Sequence, residues 1–120
     1  MEITEFGKLI GRAKPLTSDE GQRILERDRY TCQYCGLDGM RNFENSLSMT
    51  VDFVVPRSQK GKKEPANLVT ACRACNVLKG HRHVFASFDE AKEYVLKRRA
   101  ALRKEWEGRV ARLKNSSATA

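Results

Sequence analysis

The sequence predicts a small α+β domain in which a ββα unit is stapled by four cysteines and flanked by a helix on each side. The first observation behind this prediction is that the cysteines form two C-x-x-C pairs, at positions 32/35 and 72/75. The second is an alternation of apolar and polar residues ahead of the second pair, which is typical of a half-buried strand. We expect a single domain over residues 1–120, with its core at about 18–84.

The first flanking helix is predicted from about Ser18 to about Arg29. Thr17 and Glu20 stand three residues apart and form a capping-box sequence at its start. The first cysteine pair follows in a tight turn, where Gly36 relieves the backbone. Residues 37–48 are rich in turn-forming residues, so we expect a loop there.

The ββα unit is predicted from residue 49 to residue 80. Residues 49–56, MTVDFVVP, alternate apolar residues with Thr50 and with Asp52, which is the only charge in the segment. A basic loop follows, then a β-prone segment at 67–71, and then a helix that ends at Gly80.

The long C-terminal helix is predicted from about Asp89 to about Lys114, after the cap-like sequence Ser87-Phe-Asp-Glu90. Residues 115–120 are expected to form a disordered tail. An apolar stripe should dock on the body of the protein or on a second copy, which would make a homodimer through this helix. The stripe consists of Ala91, Val95, Leu102, Trp106, Val110 and Leu113.

The composition favours a polyanionic partner. The formal net charge is +8, and nucleic acid is the obvious candidate partner. Charge runs are usually solvated faces, so the composition alone leaves both interpretations open. No run of about eighteen apolar residues is present, so the sequence predicts no membrane span and no exported protein. We therefore expect a cytoplasmic protein.

The four cysteines predict a structural zinc site. Cys32, Cys35, Cys72 and Cys75 supply two chelating pairs, the arrangement that a closed tetrahedral Zn²⁺ requires. Disulfides or unrelated thiols would explain neither the paired spacing nor the glycine after the first pair. With four sulfur ligands, such an ion has no open position for water and acts as scaffold.

Three ordered segments carry a family resemblance. RDRYTCQYCG, MTVDFVVPRSQKG and NLVTACRACNVLKG resemble the HNH endonucleases, the cysteine-bearing branch of the ββα-metal nucleases, over roughly Arg23 to Arg82. The resemblance implies hydrolysis, as nicking, of DNA phosphodiesters with one divalent ion, Mg²⁺ or Mn²⁺. In that family an aspartate and a helix His or Asn hold the ion, a His beside the aspartate is the general base, and a middle Asn orients that His.

Carried onto this chain, the resemblance makes Asp52 and Asn76 the ligands of the catalytic ion and Asn67 the orienting residue. The position of the general base is Phe53, and a phenyl ring cannot accept a proton from water. His81 and His83 follow the predicted helix, and either is a candidate substitute, but exposed polar residues after a helix are usually solvated, so we do not expect either to act as the base. The alternative is a catalytically inactive HNH-fold module that binds DNA.

Basic residues around the predicted metal position suit contacts to the phosphates of duplex DNA, which position a nucleic acid without reading its sequence. The alternative for the loop residues is a solvated turn. A third interpretation of the chain is a zinc-stapled protein-interaction domain that uses its C-terminal helix. The predicted phosphate contacts are Arg57, Lys60, Lys62, Lys63, Arg73 and Lys79.

Overall fold

The computed structural model describes residues 13–119. A two-stranded antiparallel sheet lies at the centre of this part of the chain, and two 3₁₀ turns, Arg57–Gln59 and Pro65–Asn67, lie between its strands. The predicted α+β class with its central ββα unit is confirmed. The elements are α1 (Ser18–Arg27), α2 (Phe43–Leu47), β1 (Met49–Phe53), β2 (Leu68–Cys72), α3 (Arg73–Lys79) and α4 (Phe88–Thr119).

Helix α1 begins at the predicted capping box. The Thr17 hydroxyl accepts from the backbone N–H of Glu20, and the Glu20 carboxylate accepts from the backbone N–H of Thr17. The helix ends at Arg27 rather than Arg29, because Arg29 and Tyr30 take positive φ angles of 53° and 52°. This left-handed turn ends helical hydrogen bonding and directs the chain into the first cysteine pair.

A clamp at the end of α1 ties this helix to β2. The Asp28 carboxylate accepts from Arg27 at 2.9 Å and from the backbone N–H of Thr70 at 2.8 Å. Arg27 also donates to the carbonyl oxygen of Leu68 at 2.6 Å. Burial raises the pKa of Asp28, but the hydrogen bonds from Arg27 and Thr70 outweigh it and hold that pKa below its ordinary value.

We expected a loop over residues 37–48, but part of this segment is helical. Phe43–Leu47 form the short helix α2, which is capped by Asn42: its side chain accepts from the backbone N–H of Asn45 at 2.7 Å. Five helical residues are too few for a periodic apolar pattern to be visible in the sequence. Asn42, a residue type that often caps a helix start, was the signal in the sequence that could have predicted α2.

Strand β1 is shorter than predicted, and its charged residue is buried. The strand ends at Phe53 and pairs with β2 in the register Met49↔Cys72 to Phe53↔Leu68. Asp52 is only 6% exposed, whereas Val51 and Phe53 are half-buried. The one charged residue of this alternating strand is therefore a buried one, because Asp52 finds buried polar partners in distant segments.

The loop between the strands folds back tightly at Gly61. The backbone N–H of Gly61 donates to the carbonyl oxygen of Pro56 at 2.8 Å. A Cβ at this position would lie 1.7 Å from the carbonyl oxygen of Val55, so no other residue fits without moving the backbone. The basic loop is thus anchored at its middle and not free along its whole length.

Helix α4 packs on the body through its first turns and then leaves it. The Ser87 hydroxyl accepts from the backbone N–H of Glu90 at 3.1 Å, which is the predicted cap. Ala91 and Val95 are fully buried in the core. The remaining large apolar residues of the stripe are largely exposed, namely Leu102, Trp106 and Leu113.

The end of α4 also differs from the prediction. Residues 115–119, which we expected to be a disordered tail, continue the helix to Thr119. Neither proline nor glycine stands there to stop it. Ala120, and residues 1–12 of the expected single domain, lie outside the described residues. Within residues 13–119, no helix combines the length and the apolar character needed to cross a membrane.

Candidate functional site

The four cysteine sulfurs converge as predicted. The Sγ atoms of Cys32, Cys35, Cys72 and Cys75 all lie within 4.8 Å of one another. Those of Cys35 and Cys72 are 3.8 Å apart. A tetrahedron with metal–sulfur bonds of about 2.3 Å, the length typical of zinc, has edges of about 3.8 Å. The cluster therefore has the dimensions of a tetrahedral metal site.

Local structure explains how the cysteine pairs meet. In the first pair, the backbone N–H of Cys35 donates to the Cys32 sulfur at 3.4 Å, and Gly36 takes a φ of +81° to complete the turn. The backbone N–H of Gln33 donates to the carbonyl oxygen of Thr70 at 2.9 Å, which holds this turn against β2. The second pair spans the junction where β2 runs into α3.

The surroundings of the sulfurs suit a bound cation. Burial, together with the neighbouring Cys32 sulfur, raises the pKa of the Cys75 thiol. Four thiolates at this separation repel one another strongly unless a metal ion neutralises them. The guanidinium of Arg99 on α4 lies 3.7 Å from the Cys75 sulfur. Its positive charge would partly neutralise the net negative charge of a divalent metal ion bound by four thiolates.

Asp52 lies at the centre of a second polar cluster, in the interior beneath β1. One of its carboxylate oxygens accepts from the Tyr34 hydroxyl at 2.5 Å, and the other accepts from the Lys79 ammonium at 3.3 Å. Lys79 is only 2% exposed and also donates to the carbonyl oxygen of Phe53 at 3.1 Å. Burial raises the pKa of Asp52, although Lys79 opposes the shift. Burial and the Asp52 carboxylate raise the pKa of Tyr34, which keeps its hydroxyl a donor.

An open cleft of about 650 Å³ lies between β1, the turn at Arg57–Gln59 and α3. Asp52, Phe53 and Asn76 all line it. The amide nitrogen of Asn76 donates to the Thr50 hydroxyl at 3.0 Å, so its amide oxygen is not used in that bond. The cleft brings together an aspartate, an amide side chain and Phe53, at the position that the family resemblance assigns to the base.

Comparison with known proteins supports the resemblance drawn from the motifs. Residues 32–82 match the HNH endonuclease family. This match contains both cysteine pairs and every residue that lines the cleft. HNH proteins are generally metal-dependent nucleases, so the match indicates a nuclease or nucleic-acid-binding function for this HNH segment, residues 32–82.

A curated relative shares part of the chain. A stretch of 54 residues is 39% identical to the type 4 apparatus protein DotN of Legionella pneumophila, and it covers 45% of this chain and 22% of DotN. The chain thus spans about a fifth of the length of this relative. No solved structure gives a significant match.

Within the HNH segment, Asn67 holds the backbone that follows residue 53. Its amide oxygen accepts from the backbone N–H of Val55 at 2.8 Å. Its amide nitrogen donates to the carbonyl oxygens of Val55 and Lys62 at 3.1 and 3.0 Å. Asn67 therefore closes the loop between the strands. It affects the side chain of Phe53 only indirectly, by holding the backbone two residues further on.

The two histidines occupy different places. His81 lines the cleft, and its carbonyl oxygen accepts from the Ser58 hydroxyl at 3.4 Å. His83 instead packs against aromatic rings, with centroids 5.8 Å from Phe85 and 5.4 Å from Tyr94. Only the first of these positions borders the residues that the family resemblance singles out.

The predicted phosphate contacts do not form one surface. Lys79 is buried in its ion pair with Asp52, so its assignment as a phosphate contact is wrong: a buried ammonium cannot reach a phosphate. Arg73 borders a groove toward α4 rather than the cleft. Lys63 pairs with Glu20 at 2.9 Å. Arg57 lines the cleft, and Lys60 and Lys62 are exposed.

Sequence reasoning missed three residues of these sites. Tyr34 was treated only as part of the cysteine turn, Lys79 as a surface cation, and Arg99 was not considered. The signal for Lys79 was its position three residues after Asn76 on α3, which places both on the face toward β1. The contacts of Tyr34 and Arg99 join distant segments, and no spacing rule reveals them.

Proposed function

We propose that the protein is a metal-dependent HNH-type endonuclease that nicks DNA, with activity limited by Phe53. The observation that carries this proposal is the shared cleft, in which Asp52 and Asn76 stand beside the basic Arg57 and the exposed His81. The match of residues 32–82 to the HNH family supplies the reaction class.

The four-cysteine site holds a structural zinc ion in this proposal. The sulfur separations fit Zn²⁺, and thiolates are the ligands that zinc prefers in closed structural sites. Such a site leaves no position for a reacting water, so catalysis belongs to the cleft. Reduced thiols also fit the predicted cytoplasmic location.

Asp52 and Asn76 would hold the catalytic Mg²⁺ or Mn²⁺ ion. Carboxylate and amide oxygens are hard ligands of the type these ions take. Each Asp52 oxygen accepts one described hydrogen bond, which leaves lone pairs free, and the Asn76 oxygen is not engaged by Thr50. When bound, the ion would polarise the phosphodiester and stabilise the departing 3′ oxygen.

The remaining residues orient the reactants. Tyr34 and Lys79 fix both oxygens of the Asp52 carboxylate, so its orientation is set before the substrate arrives. Arg57 on the wall of the cleft suits a contact to the DNA phosphate. His81, which lines the same cleft, would take a proton from the attacking water, because Phe53 has no group that accepts one.

The test is nicking of supercoiled plasmid with Mg²⁺, Mn²⁺ or Ni²⁺. We expect weak, metal-dependent nicking that is lost in Asp52→Ala and reduced by a factor of about 10² in His81→Ala. His83→Ala is the matched control and should nick as the unaltered protein does. Intact plasmid under all three metals would contradict the nuclease proposal, and equal loss in both histidine variants would contradict the role of His81.

A second candidate function is an inactive HNH module that binds duplex DNA. Two observations favour it: the base position is occupied by Phe53, and the Lys79 ammonium already neutralises Asp52 at 3.3 Å, where it competes with a divalent cation. In this case binding is salt-dependent, and replacing Lys60 and Lys62 by Ala flattens the salt dependence. Replacing Lys97 and Lys104 on α4 removes the same charge away from the cleft, and this control should have a smaller effect.

A further inference from the structure

A groove between α3 and α4 presents apolar side chains to solvent. It has a volume of about 1080 Å³ and adjoins the Asp52 cleft, with which it shares only Val77 among the residues that line it. Val77 on its α3 side is 72% exposed, and Leu102 and Trp106 on its α4 side are 46% and 56% exposed. A contiguous exposed apolar surface of this kind commonly marks a site that binds another molecule.

Among residues 13–119, the charged side chains that line the groove are all arginines: Arg73 from α3, and Arg99 and Arg103 from α4. Apolar surface between guanidinium groups is complementary to a ligand with apolar side chains flanked by carboxylates. Arg99 also lies 3.7 Å from the Cys75 sulfur, so the metal centre holds one of the three arginines in place.

A second copy of the chain meets this requirement less well. Its available apolar segment is the outer part of α4, around Trp106 and Leu113, where the basic residues Arg109, Arg112 and Lys114 outnumber the acidic residues Glu105 and Glu107, and Glu105 already pairs with Arg109. Pairing two such helices in the groove would bring mainly basic residues against arginines, which is unfavourable. Charge complementarity therefore favours an acidic partner over the homodimer.

We propose that this groove binds an acidic amphipathic helix of another protein. Leu96 and Trp106 are ten residues apart on α4, so the groove is about 15 Å long and holds about three turns of a helix. Apolar side chains spaced at i, i+3 or i+4, and i+7 would enter it, while glutamates or aspartates on both sides pair with the arginines. This binding is independent of the nuclease chemistry.

The experiment is selection of a displayed peptide library against the zinc-loaded protein. The peptides are roughly 15 residues long, with leucines at helical spacing and flanking positions that vary between Glu and Lys. We expect enrichment of Glu, and saturable binding of the selected peptide that shifts the fluorescence of Trp106, the single tryptophan of the chain, to shorter wavelength. Enrichment of Lys, or no enrichment, would overturn the proposal.

Variants locate the binding. Leu102→Asp should weaken the selected peptide by about tenfold or more. Leu113→Asp, on the same helix but beyond the groove residues, is the matched control and should bind normally. Arg103→Glu should shift preference toward peptides with Lys flanks. Equal loss of binding in both Asp variants would overturn the proposal. A wavelength shift that appears with rising protein concentration alone would overturn it in favour of a second copy of the chain. Displacement of the peptide by a DNA oligonucleotide would overturn it in favour of nucleic acid.

Discussion

At the scale of single residues, Phe53 is the position where the chain departs from the site pattern that the family resemblance implies. Its ring is half-buried and lines the cleft beside Asp52 and Asn76. Asn67 fixes the backbone just beyond it through Val55. The residues that the family resemblance places around a general base thus surround a side chain that cannot act as one.

We predict that Phe53→His raises metal-dependent nicking by a factor of about 10² to 10⁴, the usual contribution of a positioned general base. An imidazole needs no more room than the phenyl ring it replaces. The rate of plasmid nicking with Mg²⁺ or Mn²⁺ measures the gain, and the gain should vanish when Asp52→Ala is added. A variant that keeps its metal and binds DNA but nicks no faster would show that residue 53 does not limit the reaction.

The buried pair of Asp52 and Lys79 makes a prediction about stability. Lys79→Met leaves the Asp52 carboxylate buried without its cation and should cost about 3 kcal/mol of unfolding free energy. Adding Asp52→Asn removes that unpaired charge, so the double variant should be more stable than Lys79→Met alone. Urea unfolding with zinc present and without other divalent ions measures both. Asp52→Asn alone completes the comparison. If the loss of unfolding free energy in the double variant equalled the sum of the losses in Lys79→Met and Asp52→Asn, the two residues would not be coupled.

At the scale of elements, the junction of α1 and β2 depends on one carboxylate. Thr70 is fully buried, and its backbone N–H has the Asp28 carboxylate as its partner. Arg27 reaches from the same turn to the carbonyl oxygens of Pro65 and Leu68. The clamp therefore holds the start of β2 against the end of α1, and β2 in turn positions Cys72.

We predict that Asp28→Ala lowers the unfolding free energy by about 2 kcal/mol, because it leaves the N–H of Thr70 buried without an acceptor. Asp28→Asn keeps an acceptor oxygen of similar shape and should lose less. Urea unfolding of the three proteins provides the comparison. If the Asn and Ala variants were equally destabilised, the charge on Asp28 rather than the hydrogen bond to Thr70 would be the source of the stability.

At the scale of the whole molecule, the core is small and includes three of the four metal-site cysteines. Cys32, Cys72 and Cys75 are among its buried members, together with Tyr34 and Val95. A core of this size would gain a large part of its folding free energy from a metal ion bound by the four sulfurs, because the converging thiolates repel one another without one.

We predict one tightly bound zinc ion per chain and loss of the fold in Cys72→Ser. Elemental analysis and circular dichroism measure the two effects. Ala74→Ser introduces the same residue at an exposed position of α3, so this control should keep both zinc and fold. Chelator-treated protein that is free of zinc and retains the native spectrum would contradict the prediction.

The sequence alone determined the features whose causes lie within a few residues. The C-x-x-C pairs indicated the four-sulfur site, the box at Thr17 and the cap at Ser87 indicated where two helices begin, and the motif order indicated the ββα unit. Each of these depends on local backbone geometry, which spacing along the chain records. The end of α4 was predicted too early, because the small polar residues of the tail were taken to be disordered although neither proline nor glycine stands there to stop the helix.

Only the tertiary structure decided which side of β1 is buried and what Asp52 contacts. An alternating strand does not say whether its charged residue meets water or a buried partner. Lys79 and Tyr34, 27 and 18 residues away, satisfy both carboxylate oxygens, so burial of the charge becomes tolerable. The same holds for the Asp28 clamp and the groove beside Trp106: each arises where segments distant in sequence meet, and no local pattern encodes that meeting.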